Sequence, residues 1–193
     1  MMHKRREAAQ LPDENLVAIA RQQLPYRTTA YEELMRRHRT KLYYLCLRIV
    51  RQSDDAEDVV QEVMLKVFHG LKGFSRQSKF STWLYSIASN ACLDHLRKHA
   101  AQQRHTGYLD EANEPYYLSQ DDDRILAEKA LASLGDRDRT MMALYYTTGL
   151  TLEEIAVVMN MKLSAAKMRY YRALEKLRKQ FGESPDDKKH QEK

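Results

Sequence analysis

Glycine and proline are scarce in this chain, at six and four of 193 residues, about 5% together where folded proteins average roughly 12%. That is too little turn chemistry for a sandwich or barrel of many short strands. Valine and isoleucine together number 13 against 23 leucines, so β-branched residues are few as well. Only two cysteines are present, Cys46 and Cys92, which excludes a disulfide-stapled miniprotein. Both fall in helical apolar patterns, as expected of reduced thiols in the cytoplasm. Long apolar runs are missing too. The longest uncharged stretches, Phe80 to Leu93 and Thr140 to Leu152, fall well short of the ~20 residues that cross a bilayer. The basic start at Lys4, Arg5 and Arg6 leads into no apolar stretch, so it does not read as a signal peptide. A cytoplasmic protein with no membrane insertion is expected.

What is present is charge and helical periodicity. Charged residues make up 31% of the chain, above the usual ~25%, while a hydrophobic content of 43% is too high for a disordered chain. The fold class predicted is all-α. The balance of 32 basic to 27 acidic residues, net +5, permits nucleic-acid binding without demanding it, so the distribution of charge decides.

Periodicity runs from about Asp13 to Ala100, stops, and resumes from Arg124 to Phe181, which predicts two helical domains, 13–100 and 124–181. The first holds helices near 13–23, 28–51, 54–70 and 81–100, the third starting at an Asp54–Glu57 pair with capping-box spacing. Between the domains, 101–123 reads as a flexible acidic linker, since His105 to Asp123 carries six acids and no Lys or Arg. In the second domain Leu126, Ala130 and Leu134 form one stripe and Met141, Leu144 and Tyr145 another, with Gly149 as the helix stop. The tail, 182–193, mixes both signs without periodicity and reads as disordered.

Three segments carry chemistry. Thr151 and Glu154 form a capping box, Asn160 and Met161 a tight turn, and Ser164 to Phe181 a basic helix with Lys167, Arg169, Arg172, Lys176, Arg178 and Lys179. That order is a helix-turn-helix, whose second helix enters a major groove. On the third helix Asp55, Asp58, Gln61 and Glu62 form an acidic arc with Leu65 at its centre, a face that suits a basic protein partner and repels DNA. On the fourth helix Leu84, Ile87, Ala88 and Ala91 make a core stripe. Thr82, Ser86, Ser89, Asn90 and Arg97 lie opposite, with Trp83 at the edge, a set suited to unpaired bases.

FSTWLYSIASNACLDHLRK (80–98), preceded by DAEDVVQEVMLKVF (55–68), resembles region 2 of the extracytoplasmic-function sigma factors of bacterial RNA polymerase. LTLEEIAVVMNMKLSAAKMRYYRALEKLR (150–178) is similar to their region 4. The resemblance implies a core-docking face at Asp55, Asp58, Gln61, Glu62 and Leu65, set against the clamp helices of the β′ subunit. It implies a minus-10 surface with a flipped-base pocket from the Phe74–Phe80 loop and Asn90, to which Ser78, Lys79, Trp83, Ser86, Arg97 and Lys98 add. Lys162, Ser164, Lys167, Arg169, Tyr171 and Arg172 fall where the minus-35 element is read. The implied partners are core polymerase through its β and β′ subunits, promoter DNA and an anti-sigma factor, with no cofactor. In the family the acidic linker threads polymerase channels that later hold nucleic acid. This chain departs from the family at Met168, where a small Ser is common, and at Ala165 and Ala166, which lack side chains to donate hydrogen bonds.

Two other readings stay open on residues alone. A stand-alone helix-turn-helix regulator explains 151–181 but neither the acidic arc nor the Trp83–Asn90 surface. Cys92, His95 and His99 share one face of the fourth helix and could hold a metal with His105, if the chain turned back. No Gly-rich phosphate loop, nucleophile elbow or recognisable carboxylate cleft is present, so an enzyme is not expected.

Overall fold

The computed structural model describes residues 8–106 and 128–181. The basic arm at Lys4–Arg6, the acidic stretch 107–123, Leu126 and the tail 182–193 lie outside the described residues. Seven helices carry the fold: α1 (Asp13–Gln23), α2 (Thr29–Val50), α3 (Ser53–Gly70), α4 (Phe80–Thr106), α5 (Asp136–Ala143), α6 (Leu152–Val158) and α7 (Leu163–Phe181). Residues 128–132 are also helical, and no strand occurs among the described residues.

The first unit is built on α2. Its inward leucines Leu34, Leu42 and Leu45, with Ile49, are buried against Val59, Val63 and Val67 of α3 and Leu84 and Ala88 of α4. Polar bonds lock the ends of this packing. The Tyr31 hydroxyl donates to Met64 O at 2.6 Å. Arg37 ties α1 to α2 by donating to Leu11 O at 2.7 Å and to Asp13 at 2.9 Å, while His38 Nε2 meets the second Asp13 oxygen at 2.6 Å. Helix α2 stops at Arg51, which takes a left-handed conformation at φ 71° and returns its N–H to Leu47 O. Helix α3 begins one residue before the expected capping box. Gln52 is the N-cap and has no side-chain capping bond, because Ser53 is already helical and Asp54 lies inside the first turn.

The second unit stacks α5, α6 and α7. Thr151 and Glu154 form both bonds of the capping box at 3.2 and 3.0 Å. Gly149 closes the π-helical turn Leu144–Thr148 at φ 74°, and Asn160 makes the inter-helix turn at φ 49°. Both conformations cost an ordinary L-residue about 1–2 kcal/mol, which is why Gly and Asn occupy them.

Helix α4 does not end near 100. It runs to Thr106, taking in residues the sequence assigned to the linker. Nor do the two units stand apart. Helix α6 packs on α4 and α5 packs on α2, so one body of buried side chains continues from Leu16 and Leu45 into Met141, Leu144 and Ile155. Arg139 of α5 is 6% exposed. Its Nε donates to Ile49 O at the end of α2, its Nη1 to Leu134 O, both at 3.1 Å, and its Nη2 to Asp136 at 2.6 Å. Arg48 donates to the Thr147 hydroxyl and Lys79 pairs with Glu154 at 2.9 Å, two more bonds across the same boundary.

Candidate nucleic-acid and protein interfaces

The acidic arc of α3 is on the surface. Asp58, Gln61 and Glu62 are exposed, Asp55 is half-buried, and Leu65 is 61% exposed at the centre of the arc. The residues on the other side, Ala56, Val59, Val60, Val63 and Val67, are buried in the core. Glu62 pairs with Lys66 at 2.6 Å, and that hydrogen bond holds its carboxyl below the usual range. A broad anionic face interrupted by one exposed leucine has the anatomy of a protein-docking patch.

The α4 surface differs from the expectation. Phe74 and Phe80 are 6% and 5% exposed, so they are core residues and not surface contacts. Trp83 stacks on Phe74 with centroids 4.9 Å apart and lies 6.0 Å from Phe80. A Cβ at Gly70 would sit 3.3 Å from the Trp83 ring, a tight contact that the indole would have to yield to by a few tenths of an ångström. Thr82 and Ser89, expected on the open face, are buried at 3% and 2%. They lie beside the buried Tyr85 and Cys92, so the buried arc of α4 is wider than the stripe of Leu84, Ile87, Ala88 and Ala91. The Ser89 hydroxyl has no hydrogen-bond partner there. Asn90, Arg97 and Lys98 remain exposed, and Ser86 is half-buried with its hydroxyl donating to Trp83 O at 2.7 Å. Arg97 pairs with Asp94, Ser78 is half-buried beside the start of α4, and Lys79 is held by Glu154.

On α7 the buried residues are Ala166 and Ala173, with Tyr170, Leu174 and Leu177 half-buried beside them. Lys162, Ser164, Lys167, Tyr171 and Arg172 are exposed, as the groove assignment requires. Arg169 is not part of that set. Its guanidinium donates to Asp138 at 2.7 Å, and Lys176 takes the other oxygen of the same carboxylate at 3.0 Å. Position 169 lies on the flank of α7 next to α5, so Arg169 braces the helix pair instead of facing outward. Asp138 is the organiser that the sequence did not reveal, since nothing local marks a carboxylate whose partner is 31 residues away.

Among the described residues Cys92, His95 and His99 do not converge as a metal site. Cys92 is buried beside Cys46, and that neighbouring thiol, together with burial, pushes the Cys92 thiol well above the usual range. His95 lies 3.2 Å from Asp55 and stacks on His99, while the side chain of His105 lies outside the described residues. Among the described residues no group of His, Cys, Asp and Glu could hold a metal ion, and no helix is long and apolar enough to cross a membrane.

Residues 34–102 match the family described as Sigma-70 region 2, and residues 130–179 match Sigma-70, region 4. The chain is 31% identical to the ECF RNA polymerase sigma factor SigW of Bacillus subtilis, with 79% of this chain and 89% of SigW covered. This chain belongs to the ECF family of RNA polymerase sigma factors. It is also 31% identical to the RNA polymerase sigma factor CarQ of Myxococcus xanthus, with 80% of this chain and 90% of CarQ covered. Two solved structures share the fold of this sigma factor, each at a TM-score of 0.67 and 23% identity. One is CnrH in complex with the cytosolic domain of CnrY, covering 88% of this chain and 96% of CnrH. The other is RpoE in complex with the anti-sigma factor NepR from Bartonella quintana, covering 78% and 96%. The acidic arc of α3 and the buried stripe of α4 therefore fall in region 2, and the α6–α7 helix-turn-helix in region 4.

Proposed function

We propose that this sigma factor docks on core RNA polymerase through the acidic arc of α3, directs it to specific promoters through α7, and starts transcription by capturing melted minus-10 DNA at the exposed end of α4. One observation carries the reading: a single chain presents an exposed anionic patch, Asp58, Gln61, Glu62 and Leu65, and separately a cation-flanked helix, Lys162, Lys167 and Arg172. The first is electrostatically barred from DNA and the second is suited to it. A stand-alone regulator would have no use for the first.

Melting requires capture, because opening DNA costs about 1.4 kcal/mol per stacked step and a binding protein has only binding energy to offset it. Asn90 offers a donor and an acceptor for a base edge, and Trp83, stacked on Phe74, forms a rigid wall at the edge of the same surface. Phe74 and Phe80 support that wall from beneath. On this reading the protein catalyses no covalent step, needs no cofactor and works in the cytoplasm, where polymerase and promoter are. An anti-sigma partner fits as well, since the RpoE structure of the same fold is bound to one. The test is to mix purified core polymerase with this protein and map transcription starts on genomic DNA. Starts that share two spaced upstream elements and vanish without the protein support the reading, and a protein that leaves core polymerase non-specific refutes it.

A further inference from the structure

The strip of α7 that points straight away from the core carries no cation, and its middle is apolar. At about 100° per residue, the direction opposite Ala166 and Ala173 falls on Ser164, Met168, Tyr171 and, one turn further along, Glu175, which pairs with Lys179. Met168 and Tyr171 are 57% and 62% exposed. Tyr170, half-buried, packs edge-on against Tyr171 with ring centroids 5.5 Å apart, which limits where the exposed ring can go. Lys167 flanks the strip on one side and Arg172 on the other, both exposed. Arg169 and Lys176, which would add hydrogen-bond donors, are turned aside by Asp138. Ala165 contributes no donor.

We infer that α7 recognises the minus-35 duplex chiefly by thymine methyl groups, with Met168 and Tyr171 as the specificity-determining side chains. This rests on the proposal that α7 reads the minus-35 element. The flanking cations identify the occupant, because an apolar strip bordered on both sides by Lys and Arg matches a groove floor between two phosphate backbones. In the major groove the C5 methyl of thymine is the apolar feature that separates it from the other bases. A thioether on a flexible stem and an aromatic ring gain from that methyl, while neither can satisfy the paired acceptors of guanine. Arg172 is left to anchor a phosphate or one neighbouring base.

The experiment uses holoenzyme, core polymerase plus the full chain, and a duplex pool with a randomised upstream segment ahead of a fixed start region. The selected promoter is then rebuilt with deoxyuridine in place of each thymidine in turn, on either strand, which deletes one methyl and nothing else. Wild-type holoenzyme is expected to lose about fourfold in affinity at one or two upstream positions, the value of one buried methyl at about 0.8 kcal/mol. M168S is expected to bind thymidine and deoxyuridine equally at one of them, and Y171S at the other. A flat deoxyuridine scan with wild type overturns the proposal whether or not the variants fold, and shows that the apolar strip meets a protein instead. Sensitivity that persists unchanged in both variants overturns it too. A pool that yields no upstream preference removes the minus-35 reading itself and the inference with it, so the two failures are told apart.

Discussion

Replacing Arg139 with Met should lower the stability of both units at once. The guanidinium is buried and reaches a carbonyl of α2, Ile49 O, and one of its own unit, Leu134 O. Its bond to Asp136 adds little, because that carboxylate is 55% exposed and stays hydrated when released. Methionine keeps most of the stem and leaves two buried carbonyls unpaired, at about 1–3 kcal/mol each. Against that, the buried charge no longer has to be desolvated, the effect that lowers the Arg139 pKa here. The net loss is about 2–3 kcal/mol, or about 4–12 °C in melting temperature for a chain of this size. The chain has one tryptophan, Trp83, and it lies in the first unit, whereas Arg139 lies in the second. Urea unfolding followed by Trp83 fluorescence and by far-UV circular dichroism therefore separates a local effect from a shared one. Both midpoints should fall together. A Trp83 midpoint that stays at the wild-type value while the dichroism midpoint falls would refute the claim that Arg139 carries energy across the boundary.

Reversing Asp58 and Glu62 to Lys should abolish holoenzyme formation with helicity unchanged, checked by gel filtration with core polymerase and by circular dichroism. Asn90→Ala should leave core binding near normal yet reduce promoter opening, read as lower permanganate reactivity of unpaired thymines on a matched duplex and its partial rescue on a template mismatched around the minus-10 element. Glu33 is held at about 2, well below its ordinary 4.5, first by its hydrogen bond to Arg36 and also by Arg37. Its contribution is thus complete above 4.5 and lost as pH falls towards 2. Glu33→Gln should cost about 1–2 kcal/mol at pH 7 and flatten the urea midpoint across that acid window. Arg172→Ala should reduce the salt slope of promoter binding by about 0.9 for a lost phosphate contact. Arg169→Ala should lower stability by about 1 kcal/mol through the Asp138 pair and leave the slope unchanged.

How much of this was legible depended on the reach of each interaction along the chain. The Thr151–Glu154 box and the left-handed turn at Asn160 are settled within a few residues, and both stood in the sequence as they stand in the fold. The Asp54–Glu57 pair has the same spacing but is no cap, because helix α3 had already begun at Ser53. The acidic arc of α3 was readable since helical periodicity alone decides which side faces out. The burial of Thr82 and Ser89 was not readable, because two hydroxyl residues in a helix look polar and only tertiary packing shows that they are covered. Nothing local marks Arg139 as buried, since its partner Ile49 lies 90 positions earlier. The Arg169–Asp138 pair was hidden for a related reason: composition counts cations along α7, and only tertiary structure shows which are already engaged.

The packing of α6 on α4 has a consequence for length. Elements named minus-10 and minus-35 are about 25 base pairs, or about 85 Å, apart along the duplex. The longest helix here, α4 with 27 residues, spans about 40 Å at 1.5 Å per residue. With α6 seated on α4, and on the proposal that α4 and α7 read the two elements, the helices are too close to touch both on one promoter, so engaging both means parting that joint. Its strength is then a handicap on promoter affinity, tenfold for each 1.4 kcal/mol by which the shut form is favoured. Such a joint is one that a large partner can prise open, and one that a small ligand bridging its two lips could hold closed.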